Sequence, residues 1–421
     1  MKAKLISAFL VLVLIPGVVF ARISLEDLQQ QIDNLTDRVE ALEAGGLPGS
    51  NIFSGSYTIL NQDDIDRFCA QYEEVTGSLF IRSDTLTNLD GLTCLLRIGG
   101  GLFIDDSPNL TDIDGLSNLQ TIGKAIDPGL YGQPEISIEI NLAPVTSLQA
   151  FHNLTSLPGQ LYLWNTTQLI DLTGLEGLTA IDGGVVMGGL TSLRNIDGLR
   201  NLQSLGMSAN YSLLILDVPI TSLGPLRGIT TVPGDVSIAR TDVTSLSGLD
   251  GLTSIGGRLM ITRNGFLTSL NGLGALTMVE RYVSIVDNAV LSTLAPLSGV
   301  AVEGLQIEQN TQLASLLGFD PVPLPGRGVT FINIEDNDAL TNLDGLGSYT
   351  SGVFVSQAVQ IIGNGALDSV STLKGMSGIG GPLIINDNPI LPTLGEAEAL
   401  RDAIGVGNIR GTISISGNGP N

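Results

Sequence analysis

From residue 77 onward the chain restates one short alternation of apolar and polar positions. GSLFIRSDTLTNLDGLTCLLRIGG, from Gly77, is followed by GLFIDDSPNLTDIDGLSNLQTIG, from Gly101, and weaker copies run to the end. The first apolar residue of each predicted strand falls at Leu79, Leu102, Ile136, Leu161, Val185, Met207, Val236, Leu259, Val283, Leu305, Ile332, Val359, Leu383 and Ile413. Most steps span 22 to 30 residues, and the longer ones hold loop insertions. A period of this size predicts a solenoid, in which each unit buries its apolar side only against its neighbours.

Each unit has the same grammar. A run such as Leu259-Met260-Ile261 is a short strand with its first and third side chains inward. Three residues after the inward Ile comes a polar turn residue, which in the second half is Asn264, Asn288, Asn310, Asn337, Asn364, Asn388 and Asn418. Asn tolerates tight turns and its amide can bond both its own turn and the next coil, so the stack is expected to form a structural ladder. A segment such as Leu89-Asp90-Gly91-Leu92 or Leu343-Asp344-Gly345-Leu346 follows, where Gly permits a bend. These residues are read as architecture rather than chemistry.

Phrases such as LTNLDGL, IGG-x-L-x-I and I-x-x-N-x-x-L resemble the receptor L-domain family, the leucine-rich modules of receptor ectodomains and of fungal or bacterial surface proteins. The resemblance covers about residues 57–421. It implies a mainly β fold, a right-handed parallel β-solenoid that binds partners on exposed faces or loops. No cysteine-rich module, membrane helix or kinase accompanies the repeats, so hormone-receptor signalling is not implied.

Other patterns frame the repeats. Residues 1–21 read as a secretory signal, with Lys2 and Lys4, an apolar run from Leu5 to Leu14, and a small-residue cleavage site at Val19-Phe20-Ala21. Leu25, Leu28, Ile32, Leu35, Val39 and Leu42 step as heptads, so residues 22–44 are expected to form a short coiled coil able to make a homo-oligomer. The alternative is an amphipathic helix packed on the solenoid's own end. Residues 45–56, with Gly45-Gly46 and Pro48-Gly49, read as a flexible linker, and residues 57–421 as the capped solenoid. Asp63 to Tyr72 is expected to be an opening helix with Asp63 or Asp64 at its start, and Glu396 to Ile404 a closing one. Cys69 and Cys94, the only cysteines, pair most naturally as one disulfide stapling cap to first coil, the alternative being two buried thiols.

Composition narrows function. With 19 Lys and Arg against 42 Asp and Glu the net charge is −23, which argues against nucleic acid and anionic membranes. A single histidine, His152, excludes a histidine-dependent triad or multi-histidine metal site, and no cofactor or metal is expected. One enzyme reading remains, a carbohydrate-cleaving β-helix using Glu308 and Glu335 at one outward position of adjacent coils, with calcium binding as another use of such a pair. A structural, self-associating surface-layer role is a further alternative. The expected function is non-enzymatic: a secreted or cell-surface scaffold recognising a protein or glycan. Strand alternation puts Phe80, Phe103, Tyr162 and the sole tryptophan, Trp164, on the exposed sheet face, so these four are the candidate ligand-binding residues. The opposing view has the insertion Ala125 to Pro134 folding over them. Sequons begin at Asn109, Asn153 and Asn165.

Overall fold

The computed structural model describes residues 51–126, 135–207 and 211–419. The expected leader, coiled coil and most of the linker fall in residues 1–50, outside the described residues.

Residues 51–419 form a parallel β-solenoid, as the repeat predicts. Its main sheet begins with Tyr57–Ile59 and Leu79–Ile81 and ends with Leu383–Asn386 and Ile413–Ser416, each strand parallel to the one before. Parallel pairing follows from the repeat, because every coil travels the same way round before it meets its predecessor. The register stacks like on like: Leu259, Val283, Leu305, Ile332, Val359 and Leu383 form one inward column, and Ile261, Ile285, Ile307, Ile334, Ile361 and Ile385 form the next. All are fully buried, and burying such a side chain contributes roughly 1.5–3 kcal/mol.

The return path is equally regular. A single 3-10 turn, as at Asp114–Leu116 or Asp197–Leu199, carries the chain to a two-residue strand that pairs with its counterparts, as Glu74–Val75 pairs with Arg97–Ile98. Glycine is needed in this turn because of crowding. A Cβ on Gly115 would stand 1.5 Å from the Leu89 carbonyl oxygen of the preceding coil, and Gly345 also needs a φ of +107°.

The N-terminal cap is a helix over Gln62–Cys69 with Ile65 and Phe68 buried. Its N-cap is Asn61, with Asp63 and Asp64 in the first turn: the Asn61 side chain accepts from the Asp64 amide, while Asp64 Oδ2 accepts from the Leu60 amide at 2.9 Å. Cys69 and Cys94 are disulfide-bonded with Cα atoms 5.5 Å apart. At the other end a π-helical turn, Thr393–Glu398, runs into the helix Ala399–Ile404, which buries Leu400 and Ile404.

Three expectations need correcting. Ile52–Phe53 pairs with Glu74–Val75, and Phe53 packs edge-on against Tyr57 and Tyr72, so solenoid structure begins inside the stretch read as linker to residue 56. The inward column passes through Ile138 rather than Ile136, because the insertion lengthens this strand and shifts the register by Gln160. It also passes through Leu213 rather than Met207, which is half exposed in the preceding segment.

Candidate functional site

The buried corner after each main strand comes first, because it fixes the strands that carry outward side chains. Seven asparagines line the corner of the C-terminal coils, and Asn264, Asn288, Asn310, Asn337, Asn364 and Asn388 have no exposed surface. Asn337 shows the pattern. Its Nδ2 donates to the Ile307 carbonyl at 2.8 Å and the Glu335 carbonyl at 3.0 Å, and its Oδ1 accepts from the Asn310 amide at 3.1 Å. Its own amide donates to Asn364 Oδ1, and the series continues to Asn418. The tight turn itself belongs to the preceding residue. Arg263, Asp287, Gln309, Asp336 and Asp387 have φ between 54° and 57°, leaving the asparagines free to point inward.

The outward face of the N-terminal coils carries the candidate aromatics. Phe80, Phe103 and Tyr162 share one outward row, with Glu139 between Phe103 and Tyr162. Phe80 and Phe103 are stacked with centroids 5.0 Å apart, and the Arg82 guanidinium lies 5.4 Å above the Phe80 ring. Phe103 departs from expectation. Although it projects outward it is fully buried, packed against Phe80 and over Gly101, whose absent Cβ leaves room for the ring. It belongs to packing, not to an accessible surface.

Tyr162 and Trp164 stand two residues apart on one strand with near-parallel rings, centroids 5.7 Å apart, and both are partly accessible. The indole leans over the next strand. A Cβ on Gly188, in register with Trp164, would fall 2.2 Å from Cζ3 and 2.5 Å from Cε3 of the indole. Glycine there is the seat of the ring, the cross-strand aromatic-over-glycine packing known from sheets. Beside the pair, Asn141 Nδ2 donates to Asp105 Oδ1 at 2.9 Å. Burial, reinforced by the Glu139 and Asp105 carboxylates, pushes the Tyr162 phenol up to about 12, so it stays a hydrogen-bond donor at neutral pH.

A second aromatic cluster has no counterpart in the sequence reading. Asp235, Arg258, Tyr282 and Phe331 each stand one position ahead of the strand's first inward residue, along one edge of the sheet. Arg258 Nε donates to Asp235 Oδ2 at 2.7 Å and its Nη1 to the Tyr282 hydroxyl at 3.2 Å. The bond to Asp235, ahead of any other cause, holds the guanidinium even more firmly protonated than usual. Tyr282 and Phe331 meet edge to face at 5.5 Å across Gly304. The available signal was an aromatic or arginine directly before Leu259, Val283 and Ile332.

Glu308 and Glu335 do lie side by side in register. Burial first, then repulsion from Glu308 and Asp336, raises the Glu335 carboxyl above its ordinary range. Gln306 Nε2 donates to Glu308 Oε1 at 2.9 Å. His152 caps a 3-10 turn, its Nδ1 2.9 Å from the Gln149 carbonyl oxygen, in a structural place. The sequon residues Asn109 and Asn153 use their amides to bond the Asp84 and Ser117 carbonyls of the previous coil. Among the described residues no helix is long and apolar enough to cross a membrane.

The chain is a leucine-rich β-solenoid. No protein-family model matches it, and no curated protein does. Two solved structures are similar over most of its length. An internalin (inlF) from Listeria monocytogenes is 14% identical, covering 91% of this chain and 84% of its own, with a TM-score of 0.40. A TLR13–ssRNA13 complex gives 12% identity over 87% of this chain and 66% of the other, with a TM-score of 0.29. Likeness at this level identifies no ligand, and the reading of the site rests on its own side chains.

Proposed function

We propose that the protein is a non-enzymatic recognition scaffold, secreted or displayed at a cell surface, which binds a protein or glycan through the outward face of its N-terminal coils. The observation that carries this reading is the Tyr162–Trp164 pair: two large rings kept partly open to solvent on a rigid sheet, in a fold whose other large apolar side chains are mostly interior. Phe80, Arg82 and the buried Phe103 support the same face from one side. The disulfide is in keeping with an oxidising, extracellular compartment. The I-x-x-N corner and the Asp-Gly-Leu turn support membership of the receptor L-domain family.

Because the chain has one tryptophan, its intrinsic emission reports on this site alone. A glycan and secretome binding screen is expected to yield a partner that shifts and protects that emission. Trp164→Ala is then expected to weaken binding by about 2 kcal/mol or more with little change in melting. Unaltered binding by Trp164→Ala would remove this face from function.

A further inference from the structure

We propose that the Tyr162–Trp164 site takes a pyranose ring of a neutral glycan, and that Gly188 is the positioning residue that makes it possible. The proposal rests on the docking role given to this face above and narrows it to one chemistry.

Four observations select that occupant. First, the accessible apolar surface is small. Along the row of Tyr162, Val186 on one side is 5% exposed, and on the other side Glu139 and then Phe103 are 2% and 0% exposed, so the patch is about two rings wide. A stable protein interface needs roughly 800 Å² per partner with a buried centre, whereas one sugar ring needs little more than one aromatic ring. Second, polar groups stand where sugar hydroxyls would meet them. Tyr162 keeps its phenolic proton, and Asn141, in register with Trp164, has an Oδ1 with no hydrogen-bond partner among the described residues. A hydroxyl donor would satisfy it. Third, the charges that adjoin Tyr162 are carboxylates: Glu139 stands beside it in register and Asp105 bonds Asn141, both acting on the Tyr162 phenol, while the Arg82 guanidinium on this face lies over Phe80, three strands away. That field disfavours sulfated, sialylated or uronic sugars. Fourth, the indole is immobilised between Tyr162 and the Gly188 backbone, so stacking on it costs little ordering of the protein.

Gly188 lies in a strand whose backbone any residue can adopt, and the nearest atoms to a new Cβ are those of the indole, not of the backbone. Gly188→Ala therefore displaces Trp164 while leaving the solenoid intact. The decisive experiment titrates the whole chain with cellohexaose, mannohexaose and chitohexaose, and separately with hyaluronan and heparin oligosaccharides, following tryptophan emission. At least one neutral hexasaccharide is expected to shift the emission saturably with Kd below about 1 mM, and the anionic ones are not. Gly188→Ala is expected to weaken that binding by about tenfold or more at an unchanged melting temperature, and Trp164→Phe, followed by calorimetry, to keep part of it. No saturable response to any neutral hexasaccharide, or wild-type affinity in Gly188→Ala, overturns the proposal. If a screened partner still needs Trp164 while every neutral sugar fails, the docking role stands and the glycan falls. If Trp164→Ala changes no binding at all, both fall.

Discussion

From Ser107 to Thr241 the buried corner position is filled by Ser107, Ala143, Thr166, Leu190, Val218 and Thr241; from Asn264 to Asn418 it is asparagine in every coil. The backbone path is the same in both halves. The residue before the corner is left-handed throughout, from Asp106, Leu142 and Asn165 to Asp336 and Asp387. The turn is therefore not made by asparagine. What asparagine adds is a chain of amide bonds from coil to coil, where the N-terminal half has isolated hydroxyls such as Thr166, whose Oγ1 donates to the Ile140 carbonyl at 3.2 Å. The outward faces diverge as well. In the row of outward residues between the two inward columns, Phe80, Phe103 and Tyr162 lie in the N-terminal half, and Ser284, Gln306, Asn333 and Gln360 in the asparagine-cornered half, whose rings Tyr282 and Phe331 stand at the strand starts instead. One half is tied from corner to corner and fills that row with polar side chains, while the other is stapled at its end and fills it with rings.

The sharpest way to break this contrast is at the corners. Asn337→Leu removes the side-chain acceptor for Asn310 and the Nδ2 donor to the Ile307 carbonyl and Asn364 Oδ1, and is expected to destabilise the protein by about 3 kcal/mol in denaturant melts. Thr166→Val at the same place in the other half is expected to cost only about 1 kcal/mol. Equal losses would mean that the asparagine series is no more than a set of separate caps.

The staple gives the next effect. Cys94→Ser opens a link spanning 25 residues and is expected to cost about 2–3 kcal/mol. Hydrogen exchange should show the loss in the coils from Tyr57 to Leu102 and leave the asparagine-cornered coils protected. Loosening spread evenly along the whole array would contradict independent halves.

The smallest effect is electrostatic. The Glu335 carboxyl is raised above its ordinary 4.5, so the folded state disfavours its charged form. Below the ordinary value the group is protonated folded or unfolded and carries no penalty. As pH rises through the folded value the penalty develops fully. Glu335→Gln should thus stabilise the protein by a few tenths of a kcal/mol at pH 7 and not at pH 4, in thermal melts across pH.

Much of this was legible because the repeat writes the same physical demand many times. An inward pair such as Leu259 and Ile261, followed by Asn264, recurs at intervals that admit one fold, and the two cysteines, one on the cap and one in the first repeat, had only each other to pair with. Legibility failed where an insertion broke the phase. Ile136, Ile138 and Ile140 alternate perfectly, so nothing local says which of them joins the column; that depends on how far the insertion lengthens the strand. Exposure failed for a related reason. Alternation tells which way Phe103 points but not what lies over it, and a ring between Phe80 and Glu139 over Gly101 has no accessible surface left. The edge cluster of Arg258, Tyr282 and Phe331 went unseen because each stands one position ahead of its strand's first inward residue, where the repeated alternation has not yet started.

The ladder has a mechanical consequence. Each rung joins a coil only to its two neighbours, at separations of 22 to 30 residues. A chain pulled from its two ends would yield one coil at a time, and a coil of 24 residues pays out roughly 80 Å when drawn straight. At the N-terminal end the Cys69–Cys94 link withholds its loop from extension. Force would therefore take the molecule apart in near-equal steps of one coil each, short only by the loop that the disulfide closes.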